Sequence, residues 1–247
     1  MRIVCLINGG DGLAAYHMTI FNHPNDEVFP VHYELGLPFS QKLSESLPDY
    51  VHRIPMPHYA TLIKRDYVDG SFNHNRTLLP LIWNAYMKYR ADKIVMGMTT
   101  SDISPESNLD WVDEFNDQIE TKVLSYPYVE RGWTKRQIYQ DAIQYGCLTQ
   151  VLAAFTCRSK DPQLYGCGSC HQCLRKRSAL IKMGRASNIP KPKNITIYIR
   201  SVIAEILHND LSGLYEIEEI KRFEEISPSL YEAYDVDTPK ALIRAIR

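Results

Sequence analysis

The chain alternates short apolar runs with longer amphipathic stretches, and the two spacings separate strands from helices. Residues 1–7 (MRIVCLI) form a continuous apolar run ending in glycines, which predicts a buried strand. Residues 12–21 then predict a helix. VFPVHY at 28–33 predicts a second strand, with Pro30 arguing for an edge or irregular position. Residues 38–47 predict a helix stopped by Pro48, and 49–54 a third strand; MPHYATLI after it reads as loop. The clearest helix is 78–90, where Leu78, Leu81, Ile82, Ala85, Tyr86 and Tyr89 recur at helical spacing. KIVMGM at 93–98 predicts a strand, 110–123 a helix, and 134–145 another, with Thr134 as N-cap and Gly146 as stop. Strands alternating with helices predict an α/β fold built on a doubly wound parallel sheet.

Composition adds bounds. The chain has 247 residues, 45% hydrophobic and 23% charged, with a net charge of −1. That suffices for one sizeable α/β domain with a small appendage, and it gives no global field for a nucleic acid or a membrane. No apolar run approaches the ~20 residues of a membrane span. The N-terminal apolar run is broken at once by Asn8, Gly9, Gly10 and Asp11, so the expected location is cytoplasmic. The expected division is a main domain over 1–186 and a helical extension over 187–247, with helices at 195–207 and 217–226. Basic residues gather around the clustered cysteines and acidic ones in the tail. This reads as two solvated regions attracting each other, or as a basic patch facing a phosphate or nucleic acid.

Two stretches carry candidate chemistry. LINGGDGLAAY (6–16) is a strand, a glycine turn and a helix start, the layout that cradles phosphate on backbone N–H groups; alone it is equally a tight structural turn. CRSKDPQLYGCGSCHQC (157–173) places Cys157, Cys167, Cys170 and Cys173 at a C-x9-C-x2-C-x2-C spacing. Four thiolates at about 2.3 Å suit a closed, structural Zn²⁺ site. An iron–sulfur cluster or free thiols are the other readings. Cys5 and Cys147 read as buried small hydrophobes.

Taken together, LINGGDGLAAY, FNHNRTLLPLIWNAY (72–86), ADKIVMGMTTSDIS (91–104) and the cysteine cluster followed by LRKRSAL (174–180) resemble one family. It is the 7-cyano-7-deazaguanine synthases, QueC-like members of the PP-loop ATP pyrophosphatase superfamily. The resemblance runs from Met1 to about Met183. It implies ATP-dependent conversion of 7-carboxy-7-deazaguanine to a nitrile with ammonia, through an adenylated carboxylate, in queuosine-type metabolism. It further implies ATP, Mg²⁺ and Zn²⁺ as cofactors, a small-molecule deazaguanine substrate and a homodimer.

The carry-over is uneven. Asn8, Gly9 and Gly10 stand where the family has Ser-Gly-Gly, Asp11 falls on its variable position, Gly12 on its Asp and Leu13 on its final Ser. The resemblance assigns Asn8, Gly9, Gly10, Asp11 and Gly12 to ATP. It assigns Arg76 and Asp102 to catalysis; the other readings are Asp102 as a helix or turn cap and Arg76 paired with a surface acid. Ser104 and Asp113 are assigned to the substrate. With two of the family's polar side chains missing from the loop, a second reading stands: a catalytically silent homologue that holds a deazaguanine, a nucleotide or a protein partner. A third is a nucleic-acid-binding zinc module, disfavoured by the acidic tail.

Overall fold

A computed structural model describes residues 1–36, 38–56, 74–99, 109–119, 121–155, 173, 176, 179–180 and 183–185. Their strands are β1 (Arg2–Leu6), β2 (Glu27–Glu34), β3 (His52–Pro55), β4 (Lys93–Met96) and β5 (Leu124–Ser125). Their helices are α1 (Gly10–Asn22), α2 (Pro38–Ser46), α3 (His74–Tyr89), α4 (Leu109–Gln118), α5 (Pro127–Glu130), α6 (Lys135–Gln144) and α7 (Leu148–Ala153). The strands form one parallel sheet in the order β3-β2-β1-β4-β5. The chain winds outward from β1 to β3, then crosses to β4 on the other side. This is the doubly wound arrangement that the alternating pattern predicts.

Alternation along β1 divides the core. Ile3, Cys5 and Ile7 face α1, α6 and α7, packing with Leu13, Met18, Ile138 and Val151. Val4 and Leu6 face α3 and α4, packing with Leu81, Ile82, Val112 and Phe115. Leu78, Leu81, Ile82 and Ala85 are all buried, so the periodicity of the α3 stretch marks its inner face correctly. Cys5 and Cys147 are buried, and burial pushes their thiols up to about 12 and about 11. Such thiols stay protonated and act as small hydrophobes. At α6, the Gln137 side chain accepts hydrogen bonds from the Thr134 N–H and hydroxyl, and Gly146 at φ 68° ends the helix region as expected.

Four expectations change. Pro30 does not mark an edge strand, because β2 lies between β1 and β3. It is tolerated because β3 pairing begins only at Val31, one residue later, so no ladder donor is needed there on that side. The predicted helix at 110–123 stops at Gln118, and the chain makes β5 instead. Asn116 causes this locally: its amide donates to the Leu124 carbonyl at 3.0 Å and accepts from the Leu124 N–H at 2.8 Å. α1 begins at Gly10, two residues before the expected start, so the glycine loop is itself the helix's first turn. β3 begins at His52, because residues before it form a turn in which the Val51 N–H donates to the Pro48 carbonyl. The helices expected at 195–207 and 217–226, and the extension they belong to, lie outside the described residues.

Candidate functional site

The strand order reverses between β1 and β4, and doubly wound sheets bind ligands outside the carboxyl ends of the strands at that point. Two short segments meet there: the loop after β1 and the turn after β4. Both are shaped by glycines. Gly9 has φ 147°, a region that L side chains rarely adopt, and turns the chain directly into α1. No side chain caps this helix, so its first-turn N–H groups keep the positive end of the helix dipole uncovered by a cap. A Cβ at Gly10 would lie 2.4 Å from the Val151 carbonyl oxygen, and one at Gly12 would lie 2.8 Å from that of Leu6. A Cβ at Gly97, the first residue after β4, would lie 2.3 Å from the Asp11 carbonyl group. The loop is thus clamped backbone against backbone by β1, α7 and the end of β4.

Asp11 is the loop's acid. Its Oδ2 accepts a charge-assisted hydrogen bond from Lys135 Nζ, at the first position of α6 and 124 residues away. The Asp11 side chain is 17% exposed and that of Lys135 13%, so the pair is largely withdrawn from water. Asp11 Oδ1 is buried without a hydrogen-bond partner. Nearby, the buried Tyr128 hydroxyl is also unpartnered. Burial holds its phenol well above the usual tyrosine range, and the negative charges of Asp11 and Asp141 add to that. Tyr128 stacks on Trp133 at 5.8 Å, and the Arg131 guanidinium lies 4.8 Å from the Trp133 ring centre. Asp141 is held above the usual carboxylate range by burial, opposed by Tyr145 and Arg131. A carboxylate and an ammonium therefore meet at one glycine loop, and the buried Tyr128 phenol lies close enough to feel the Asp11 charge.

Sequence reasoning brings some of these together and misses others. Gly9, Gly10, Asp11 and Gly12 form the loop, and Asn8 stands exposed at its entrance. Arg76 falls in the first turn of α3. Asp113 is exposed on α4, which packs on the opposite sheet face from α1. Asp102, Ser104, Cys157, Cys167 and Cys170 lie outside the described residues. Of the cysteine cluster only Cys173 is described, and it is buried. Among the described residues no group of three or more His, Cys, Asp or Glu side chains could hold a metal. Described residues after the cluster lie on the core: Leu180 belongs to the same apolar cluster as the α1 and α7 residues, and Lys176 donates to the Leu152 carbonyl at 3.0 Å near the end of α7.

Lys135, Tyr128 and Gly97 were not expected at the site. Lys135 leaves one sequence trace. With Arg136 it puts two cations into the first turn of a helix, where the macrodipole disfavours positive charge. The pairing with Asp11 offsets that cost.

Among the described residues no helix is long and apolar enough to cross a membrane. A family model described as "Queuosine biosynthesis protein QueC" matches residues 28–184, from β2 through the cysteine cluster. The loop itself lies before the matched stretch. No curated protein matches the chain.

Proposed function

The chain belongs to the QueC family of queuosine-biosynthesis proteins, within the PP-loop superfamily, and from that premise we propose that it is an ATP-dependent enzyme acting on a 7-deazaguanine. The finer reading is conversion of 7-carboxy-7-deazaguanine to the nitrile with ammonia. The observation that carries it is Lys135 seated over the glycine loop at the sheet's reversal point. A largely buried ammonium beside uncapped helix N–H groups is what a phosphate needs, and it stands in for the polar side chains that Gly12 and Leu13 do not provide.

The donor set fits a nucleotide's phosphates: first-turn amides of α1, the Lys135 ammonium, and backbone approach allowed by Gly10 and Gly12. ATP with Mg²⁺, when bound, would supply activation of the substrate carboxylate. The protein's own part is to align the phosphates along α1 and to place Lys135 against their charge. In this reading Arg76 and Asp102 stabilise the reacting carboxylate, and Ser104 and Asp113 orient the substrate. Cys157, Cys167, Cys170 and Cys173 hold a structural Zn²⁺ that ties the segment before Leu180 into the main domain of residues 1–186. Residues 187–247 form a separate extension, and two copies pair as a homodimer.

Calorimetry with Mg-ATP, with and without 7-carboxy-7-deazaguanine, tests this. Micromolar binding that tightens with the deazaguanine and is lost in Lys135→Gln is expected. A folded protein that binds no nucleotide would overturn the ATP-dependent reading. The altered Gly12 and Leu13 favour a second reading, a silent homologue, which predicts deazaguanine binding without turnover.

A further inference from the structure

The loop's variable position holds an acid, and that acid already occupies the loop's cation. We propose that Asp11 is the specificity-determining residue of this loop: its carboxylate stands on Lys135 where an incoming phosphate would bind, so the resting site discriminates against free polyanions. The proposal rests on the reading of the loop as an anion cradle.

The geometry gives Asp11 little choice. Its peptide is fixed, because Gly97 abuts its carbonyl and Gly12 abuts β1 closely enough that neither could carry a Cβ without a shift. The carboxylate can therefore turn about its own side-chain bonds, while the backbone that carries it stays in place. Oδ2 has Lys135, and Oδ1 is buried with no partner. An anion that captures Lys135 leaves both oxygens uncompensated in a site largely closed to water. Stranding one member of a buried pair is strongly unfavourable. The new anion also lies beside a like charge, which adds repulsion. The nearby Tyr128 hydroxyl is buried and neutral, so it brings no positive charge to Asp11 in exchange.

A purely structural Asp11, an acid in the first turn of α1 that ties the helix to α6, predicts the opposite sign on substitution. Its loss would loosen the loop and weaken binding. An internal competitor predicts that its loss strengthens binding.

The probe is inorganic pyrophosphate in the presence of a chelator, titrated into the full chain and into Asp11→Asn, Lys135→Gln and the double variant. Asn keeps the shape and some hydrogen bonding while removing the charge. Asp11→Asn is expected to bind at least tenfold more tightly than the parent. The gain should vanish in the double variant, and Lys135→Gln should bind no more tightly than the parent. Equal, measurable affinity in the parent and Asp11→Asn would overturn the proposal while leaving the anion cradle standing. Weaker binding by Asp11→Asn would also overturn it, by making Asp11 a supporting contact. Absence of binding in every folded variant would remove both the proposal and the cradle. Acylation of Lys135, read by mass spectrometry, checks the pair without any phosphate. It should speed up in Asp11→Asn, and an unchanged rate would overturn the proposal by showing that the pair does not hold in solution.

Discussion

Along β1 and β4 the molecule changes its means of support within a few residues. In the middle of the two strands, Ile3, Val4, Ile94 and Val95 are buried by side chains packed from both faces. At their carboxyl ends, Gly10, Gly12 and Gly97 are held by backbone atoms pressed together, and the Asp11–Lys135 ion pair lies there. The interior is specified by what its side chains fill. The edge is specified by side chains that are absent. Stability and ligand affinity can therefore be separated along the same strands, and substitutions in the two regions should fail differently.

The largest effect belongs to the interior. Ile82 on α3 is fully buried against Val4, Leu6 and Ile94. Ile82→Ala should cost about 2–5 kcal/mol of stability, the range for deleting such a core side chain. Chemical denaturation measures this. In the variant that remains folded, pyrophosphate affinity should match the parent within twofold; a larger drop would show that the interior and the edge are not separable.

Gly97→Ala is the complementary test. The new methyl would have to displace the Asp11–Gly12 peptide, which it would approach to 2.3 Å from Asp11 and 2.5 Å from Gly12. Overpacking of this kind costs about 1–3 kcal/mol. Moving the loop amides by even a fraction of an ångström should weaken anion binding about tenfold or more, since preorganised donors act only over a narrow distance. A variant with unchanged affinity would mean that the end of β4 does not set the loop's path.

The two regions also differ in how far the sequence discloses them. The interior repeats one signal many times. Apolar positions at helical spacing in α3, and the unbroken run of β1, each identify their buried faces because every position points to the same surface. The edge is written in single residues with distant partners. NGGDG announces a loop, yet nothing near Asp11 names Lys135. Gly97 reads as a strand-end glycine until its Cβ is built against another segment. β5 is two residues long and is fixed by the Asn116 side chain, so periodicity has nothing to detect. The family resemblance supplied the order of the motifs, and the match over residues 28–184 supports it from β2 onward. The altered loop before that stretch needed the tertiary structure to acquire a cation.

The smallest expected effect concerns a third support of the edge, His32 near the end of β2. Its ring is buried: Nδ1–H donates to the Ile7 carbonyl at 2.7 Å, just before the loop, and Nε2 lies 3.4 Å from the Ser40 carbonyl. Burial lowers its pKa below the usual 6.5, against the two carbonyls and Glu34, which raise it, while Arg53 lowers it further. Because the folded value is depressed, the unfolded chain takes up a proton that the folded chain refuses. Stability contributed by neutral His32 is complete above pH 6.5 and is lost as pH falls from there toward the folded value. Urea unfolding at pH 7.5 and 5.5 should show a larger loss of stability in the parent than in His32→Gln. His17, lowered mainly by burial, has the same sign and remains in both proteins, so the comparison isolates His32. Equal pH dependence in the two proteins would remove His32 from the edge's support and leave the glycine contacts and the Asp11–Lys135 pair to hold the loop.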